Sequence, residues 1–512
     1  MENAFIKQYV DGEYSRYVSE MIQVESDHQY AEIVNNNLVE SSKMKSGNSK
    51  KKTKETSNFK YKEVNRLKYL NSKVESKDLN KSKIKEKIEE VTDKKISGKI
   101  YMTNKMNQPR KNIGIVGMVS EGKSTLTLAV SNQATQRSKK EMERNITMKI
   151  GYADSKIWKK DGKYVSEGYN RDLISECTDK DLIDHISIVD CPGHFELITT
   201  MISSVRLMHA VIVVVSVEGD LDAKTSLKQH LNSVKLSGIK DIIVCLNKID
   251  LYSNNREKLI ERYNELKKFL DKFDIEPIYP IIPTSFQNNI GTDLLLDAIG
   301  RINGDENPDD DSYFLSNRSF SINRPGCSYD NVIGSCIGGS LLGGSIDIED
   351  DIEIRPGIGS GENYIPIRTR VSSLRYNSTD LESIKRGGLI SIGTDLIPSI
   401  ASNNGLSGKL VGRLNTLPSV YQKLIICDIK NEIFGNIWDI GNLERGFRVS
   451  IQFENQLVIS KFDGMKEDNF VFKLKDPMCI SEGKRVIFLK NDKKGTQILG
   501  FGTFVEGMDK LE

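Results

Sequence analysis

At 512 residues the chain is too long for one ordinary domain and has room for about three. Lys plus Arg number 73 against 71 Asp plus Glu, a formal net charge of +2, so the chain as a whole is no polycation and any nucleic-acid contact must come from a local patch. The 7 cysteines are scattered with no C-x-x-C pair, which argues against a disulfide framework and a zinc ribbon and suits a reducing compartment.

Residues 1–14 lack the apolar core of a signal peptide, and the longest apolar run, 210–217, is far too short to span a bilayer. A cytoplasmic protein with no membrane partner is expected. A weak helix is expected around 17–24. From about 41 to 105 the chain carries the run Ser49-Lys50-Lys51-Lys52-Thr53-Lys54, many Ser, Asn and Glu, and few large apolar residues. Such a stretch cannot bury enough surface to offset its ordering entropy. Within it Ile84, Ile88 and Val91 fall at helical spacing among Lys and Glu. That pattern fits a solvated, partly helical linker or a short amphipathic helix formed on a partner.

From Asn112 onward short β-branched runs alternate with helical patterns. Strands are expected at 113–116, 186–189, 211–215, 242–246 and 278–282, with helices at 124–131, 195–207, 221–235 and 256–270. The alternation implies a mostly parallel sheet wrapped by helices. After about Asn307 the helices stop. Strands at 319–322, 344–348, 352–354, 424–429, 448–453 and 485–489, separated by Gly, Pro, Asn and Asp turns, imply two small β-barrels.

Three motifs carry chemistry. Gly117-Met118-Val119-Ser120-Glu121-Gly122-Lys123-Ser124 fits G-x-x-x-x-G-K-S between an expected strand and an expected helix, with Thr125 following. The glycines let backbone N–H groups wrap a diphosphate, and the helix N-terminus adds positive potential. Lys123 reaches the outer phosphates and the Ser124 hydroxyl is a Mg²⁺ ligand. Asp190-Cys191-Pro192-Gly193 ends the next apolar strand. There Asp190 would hold Mg²⁺ through a water, and the Gly193 N–H would bond a γ-phosphate. Alone, D-x-x-G is equally a plain turn after a strand. Asn247-Lys248-Ile249-Asp250 ends another strand, with Asp250 placed to accept guanine N1–H and the 2-amino group. Adenine lacks both donors, so the nucleotide is GTP or GDP. The motifs occur in order, each at a strand's C-terminal end, where open parallel sheets bind ligands.

The expected architecture is an α/β P-loop GTPase domain followed by two all-β barrel domains. The parts are a basic, low-complexity N-terminal extension at 1–105, partly helical and largely disordered, a GTP-binding domain at 106–306, and barrels at 307–405 and 406–512.

The run Asp190-Cys191-Pro192-Gly193-His194 resembles the second motif of the translational GTPases, elongation factor Tu among them. Glu143-Arg144-Asn145-Ile146-Thr147 resembles their first switch. With Met148-Lys149-Ile150-Gly151-Tyr152 after it, the run is similar to the R-N-I-T-I-K-L-G-Y of translation initiation factor two gamma subunits. Arg318-Ser319-Phe320, Asn323-Arg324-Pro325-Gly326-Cys327, Gly338-Gly339-Ser340 and Glu353-Ile354-Arg355-Pro356-Gly357 resemble that subunit too. Gly387 to Thr394 and Gly500-Phe501-Gly502 match more loosely. The resemblance runs from about Asn112 to the C-terminus.

The resemblance implies that Thr147 binds Mg²⁺ in the GTP state and that His194 orients the attacking water, with Lys123 and Gly193 completing the catalytic set. It implies that Val119 and Ile146 gate His194. It also implies a GTP-dependent carrier of initiator methionyl-tRNA to the small ribosomal subunit, with alpha- and beta-type subunits, GTPase-activating factors and nucleotide-exchange factors as partners. Another tRNA-carrying GTPase, selenocysteine-specific or of the Tu or alpha type, and a regulatory or decoy homologue remain open.

The chain departs from the family pattern at several points. Met118, Ser120 and Glu121 replace the usual phosphate-loop residues, where relatives have His before the second Gly. Glu121 adds negative charge beside phosphates, which would matter little with its side chain turned to solvent. The guanine-closing motif, usually S-A, reads Ser285-Phe286 after Thr284, and Phe286 would crowd the base edge unless it points away. A four-cysteine zinc knuckle is common in relatives between the first switch and D-C-P-G. Here 152–189 holds only Cys177, so no structural zinc is expected.

Overall fold

The structure, a computed structural model, describes residues 108–135, 150–193, 201, 202, 205, 207–221, 224–252, 255–302, 313–323, 334–360, 363–430, 443–492 and 495–511. The expected N-terminal extension with its helices lies outside the described residues, as do Ile146, Thr147 and His194.

The first domain opens with β1 (Lys111–Val116), which is buried throughout. Helix α1 (Lys123–Ser131) follows. The hairpin of β2 (Gly151–Lys160) and β3 (Lys163–Ser166) comes next, then β4 (Leu182–Asp190) and β5 (Ala210–Ser216). The remaining elements are α2 (Thr225–Ser237), β6 (Asp241–Asn247), α3 (Arg256–Asp271), β7 (Ile282–Thr284) and α4 (Thr292–Gly300). The sheet runs β3-β2-β4-β1-β5-β6-β7. From β4 to β7 it is parallel, and β2 and β3 add an antiparallel edge. The interior strands are near-continuous β-branched runs because helices cover both faces of a parallel sheet. In β5 every residue of Ala-Val-Ile-Val-Val-Val-Ser is buried.

Three sequence expectations shift. The strand expected at 278–282 is β7, which begins at Ile282. Pro280 cannot donate to a ladder, and upstream of it the Ile278 N–H donates to the Ile242 carbonyl at 2.9 Å as an isolated bond. The helix expected from 221 starts at Thr225. The β2–β3 hairpin was not anticipated. In β2 the alternate residues Gly151, Ala153, Ser155 and Ile157 are the buried ones, and three small side chains leave the period of two nearly invisible to hydropathy. Its turn, Asp161-Gly162, has φ of 48° and 80°, the positive pair that a tight hairpin needs.

The β half holds two closed barrels. The first contains β8 (Phe314–Ser321), β9 (Ser335–Leu341), β10 (Ile346–Asp347), β11 (Asp351–Ser360), β12 (Asn363–Tyr376), β13 (Thr379–Leu381), β14 (Ser383–Ile384), β15 (Ile390–Thr394) and β16 (Lys409–Arg413). Its ring β11-β16-β8-β9-β15-β12 closes through the β11–β12 pairing. Phe314, Ile337, Ile352, Val371, Ile392 and Val411 fill it. The closing strand β16 lies beyond residue 405, the expected end of the first barrel domain. The expectation that helices cease after Asn307 needs one correction: a single-turn helix, Pro398–Ala401, is followed by a 3₁₀ turn, Ser402–Asn404. The second barrel closes as β17-β20-β19-β18-β21-β22. These strands are β17 (Val420–Lys430), β18 (Arg448–Phe453), β19 (Gln456–Lys466), β20 (Asn469–Cys479), β21 (Arg485–Asp492) and β22 (Gly495–Leu511). Phe472, Phe488 and Phe504 stand at its centre.

Asn112 is among the side chains that tie the sheet to the first barrel. Asn112 Nδ2 donates to the Leu207 carbonyl at 2.8 Å and to Ser340 Oγ at 2.9 Å, and its Oδ1 accepts the Gly388 N–H at 2.7 Å. Beside it, Leu207 packs with Tyr313, Leu315, Leu410, Val420 and Cys479, a cluster drawn from all three domains.

Candidate functional site

Strand β1 is flanked by β4 and β5, so the strand order reverses there and a crevice opens at the carboxyl ends. The loop 117–124 turns in that crevice. Gly117 has φ 150°, and a Cβ there would lie 2.4 Å from the Val214 carbonyl. Gly122 has φ 103°, and its Cβ would meet Asn247 Nδ2 at 2.1 Å. Only glycine satisfies both the conformation and the space at these two positions. Ser120 also takes a positive φ, 66°.

Lys123 is buried, and its ammonium donates to the Met118 carbonyl at 2.6 Å, arching over its own loop. Burial pushes its pKa down, while Asp190, Cys191 and Glu121 oppose the shift. Ser124 Oγ donates to Asp190 Oδ2 at 2.9 Å, which brings the first two motifs together. Gly193 lies against the same loop. A Cβ on it would stand 2.4 Å from Lys123 Nζ and 2.8 Å from Val119 N. Hard oxygens from Ser124 and Asp190 on one side of a phosphate loop suit Mg²⁺. Among the described residues no group of three or more His, Cys, Asp or Glu could hold a metal ion.

The base end is built on β6 and β7. Asn247 is buried. Its Nδ2 donates to the Glu121 carbonyl at 2.8 Å, and its Oδ1 accepts from Thr284 Oγ1 at 3.3 Å and from the Phe286 N–H at 3.4 Å. Lys248, at φ 64°, pairs with Glu218 at 3.1 Å. Asp250 is half-buried, and its Oδ1 accepts from Ser285 Oγ at 2.6 Å. Phe286 is 3% exposed, so its ring joins the core and its N–H, not its ring, faces Asn247. Thr125 is exposed and Val119 half-buried.

Glu121 also departs from expectation. The residue is 5% exposed, and its side chain does not face solvent. It pairs with Lys224 Nζ at 2.8 Å and accepts the Ser216 N–H. Lys224 escaped sequence reasoning, although a cation at the N-cap of α2 opposes the helix dipole and so signals a partner elsewhere. Thr135, whose Oγ1 donates to Asp190 Oδ2 at 2.5 Å, carried no signal at all.

Two histidines, His230 buried and His209 half-buried, bear on stability. His230 is 1% exposed on α2, and burial, with Lys123 adding to it, pushes its pKa down to about 3. Burial, reinforced by Arg386, does the same to His209. An unfolded imidazole takes up a proton near pH 6.5 and these folded ones do not. Their contribution is full above pH 6.5 and is lost as the pH falls toward 3. Between pH 8 and pH 5 the unfolding free energy is expected to drop by about 2 kcal/mol per histidine. Urea titrations at the two pH values check this, and a constant midpoint would show that the rings charge in place.

Comparison with known proteins follows the same geography. The elongation factor Tu GTP binding domain family matches residues 108–303. The chain is 32% identical to translation initiation factor 2 subunit gamma of Halorubrum lacusprofundi over 78% of this chain and 100% of that protein. It is 33% identical to the eukaryotic translation initiation factor 2 subunit gamma of Encephalitozoon cuniculi, over 78% of this chain and 93% of that one. Among solved structures it resembles a bacterial selenocysteine-specific elongation factor, with a TM-score of 0.60 and 19% identity, spanning 79% of this chain and only 59% of the other. It also resembles elongation factor SelB of Methanococcus maripaludis, with a TM-score of 0.56 and 19% identity, over 79% and 80% of the two chains. At that identity the likeness concerns the fold alone.

Proposed function

This chain belongs to the family of translation initiation factor 2 gamma subunits, and from that membership we propose that it is a GTP-dependent carrier of initiator methionyl-tRNA to the small ribosomal subunit. Its family makes it a translational GTPase, a class that binds GTP and GDP with Mg²⁺.

In this reading the backbone of Gly117, Val119, Ser120, Glu121 and Gly122 holds the phosphates, with Lys123, Ser124 and Thr125 at the start of α1. Asn247, Lys248, Asp250, Ser285 and Phe286 hold the guanine. Ser124 and Thr147 would ligate Mg²⁺ directly and Asp190 through a water. Bound there, Mg²⁺ neutralises phosphate charge and orients the outer phosphates. One arrangement carries the reading: Ser124 on Asp190, Gly193 against Lys123, and Asn247 on the Glu121 carbonyl join the three motifs into one hydrogen-bonded crevice.

His194 follows Gly193 and orients the attacking water. Hydrolysis is slow alone, about 10⁻⁴ to 10⁻² s⁻¹, and is raised by a partner. Alpha- and beta-type subunits, activating and exchange factors and the small ribosomal subunit are the partners, and the setting is cytoplasmic. Among the described residues no helix is long and apolar enough to cross a membrane.

GTP is expected to raise affinity for initiator methionyl-tRNA over GDP. Thr147 on Mg²⁺ and Gly193 on the γ-phosphate are both satisfied only with GTP, and their ordering sets the surface that a tRNA grips. A coupling of about 1–3 kcal/mol gives a factor of roughly 5 to 150. Thr147→Ala should remove most of that factor while leaving nucleotide bound. Filter binding with GDP and a non-hydrolysable GTP analogue measures it, with elongator tRNAs as comparison. Equal affinity in both states would replace the carrier reading with the decoy.

A further inference from the structure

The Glu121–Lys224 pair is a buried charge in the one loop whose task is to attract anions. We propose that Lys224 is a positioning residue for nucleotide binding: it neutralises the Glu121 carboxylate and draws it away from the phosphates, which lets this phosphate loop tolerate an acid. The inference rests on the guanine-nucleotide reading above.

Three observations carry it. First, both side chains are nearly inaccessible, at 7% and 9% exposure, and their charged atoms meet at 2.8 Å. A carboxylate this buried needs a partner, because its desolvation costs several kcal/mol. Second, the carboxylate's other oxygen accepts the Ser216 N–H at the end of β5, so the side chain is held toward the β5–α2 side of the loop. Its backbone carbonyl is meanwhile occupied by Asn247 Nδ2 at 2.8 Å. Glu121 thus stitches the loop to the ends of β5 and β6 and to the start of α2. Third, Lys224 sits where a lysine is otherwise unfavourable, at the N-terminus of α2 with no cap bond from its side chain. An acid in the phosphate loop and a cation at that helix start are each unfavourable alone, and together they cancel.

The test is GDP affinity, by fluorescent-nucleotide displacement, for the full chain and three variants. Lys224→Met leaves the carboxylate unpaired and should weaken GDP binding about tenfold. Glu121→Gln keeps the shape, removes the charge, leaves Lys224 positive, and should tighten binding about threefold. Combining the two should bring affinity back to within about threefold of the parent. A loop that merely needs the pair for rigidity predicts the opposite sign for Glu121→Gln and no rescue. If Lys224→Met does not fold, Glu121→Gln and the double variant still decide the matter by that sign and that recovery. Unchanged or weaker binding in Glu121→Gln, or a double variant outside threefold of the parent, overturns the inference while the parent's binding upholds the nucleotide reading. A parent that binds no guanine nucleotide overturns both.

Discussion

Asp250→Asn should lower GTP affinity by roughly 10² to 10⁴ and make xanthosine triphosphate the preferred nucleotide. Guanine presents N1–H and its 2-amino group as donors, and two charge-assisted bonds at about 1.5–3 kcal/mol each account for that range. Xanthine replaces the amino group with a carbonyl, to which an Asn amide donates. The geometry supports a swap without collapse. Ser285 Oγ donates to Asp250 Oδ1 at 2.6 Å, and the same hydroxyl would donate to an Asn carbonyl oxygen. The side chain therefore keeps its rotamer, and its outer atom changes from acceptor to donor. Asn288 Nδ2 holds Ser285 Oγ from behind at 3.1 Å, so the orienting hydroxyl is itself held. Nucleotide competition on both proteins measures the effect, and an unchanged preference for GTP would remove Asp250 from base recognition.

His194→Ala should lower the partner-stimulated rate of GTP hydrolysis by about 10² or more and leave GTP affinity nearly unchanged. The described residue before it explains why the position matters. Gly193 lies so close to Lys123 Nζ and to the backbone of Met118 and Val119 that no Cβ fits between them. Gly193 is thus held against the phosphate loop, and His194 follows it in the sequence. Affinity should survive because base, diphosphate and Mg²⁺ contacts lie on other residues. Single-turnover hydrolysis with an activating ribosomal complex is the measurement. Full stimulated activity in the variant would mean that another group positions the water.

The meeting of the three motifs could be anticipated from sequence because each motif is local. The first sets two glycines, a lysine and a hydroxyl within eight residues, and the third sets Asn247 and Asp250 within four. Each set lies on one strand-to-helix turn, so spacing along the chain equals spacing in space. The parallel strands were visible for a related reason: β5 and β6 are covered on both faces, which makes 210–215 and 242–246 unbroken apolar runs. The closing strand β16 and the small-residue strand β2 were less visible, because pairing partners and half-hidden Gly, Ala and Ser determine them. What surrounds the motifs was settled by distant neighbours. Thr135 reaches Asp190 across 55 residues and Lys224 reaches Glu121 across 103. Phe286 turned into the core because its backbone N–H points at Asn247, 39 residues away. Whether an acid in a phosphate loop repels or is neutralised depends on which charge the fold lays against it. That is a property of packed helices and strand ends, and no window of sequence contains it.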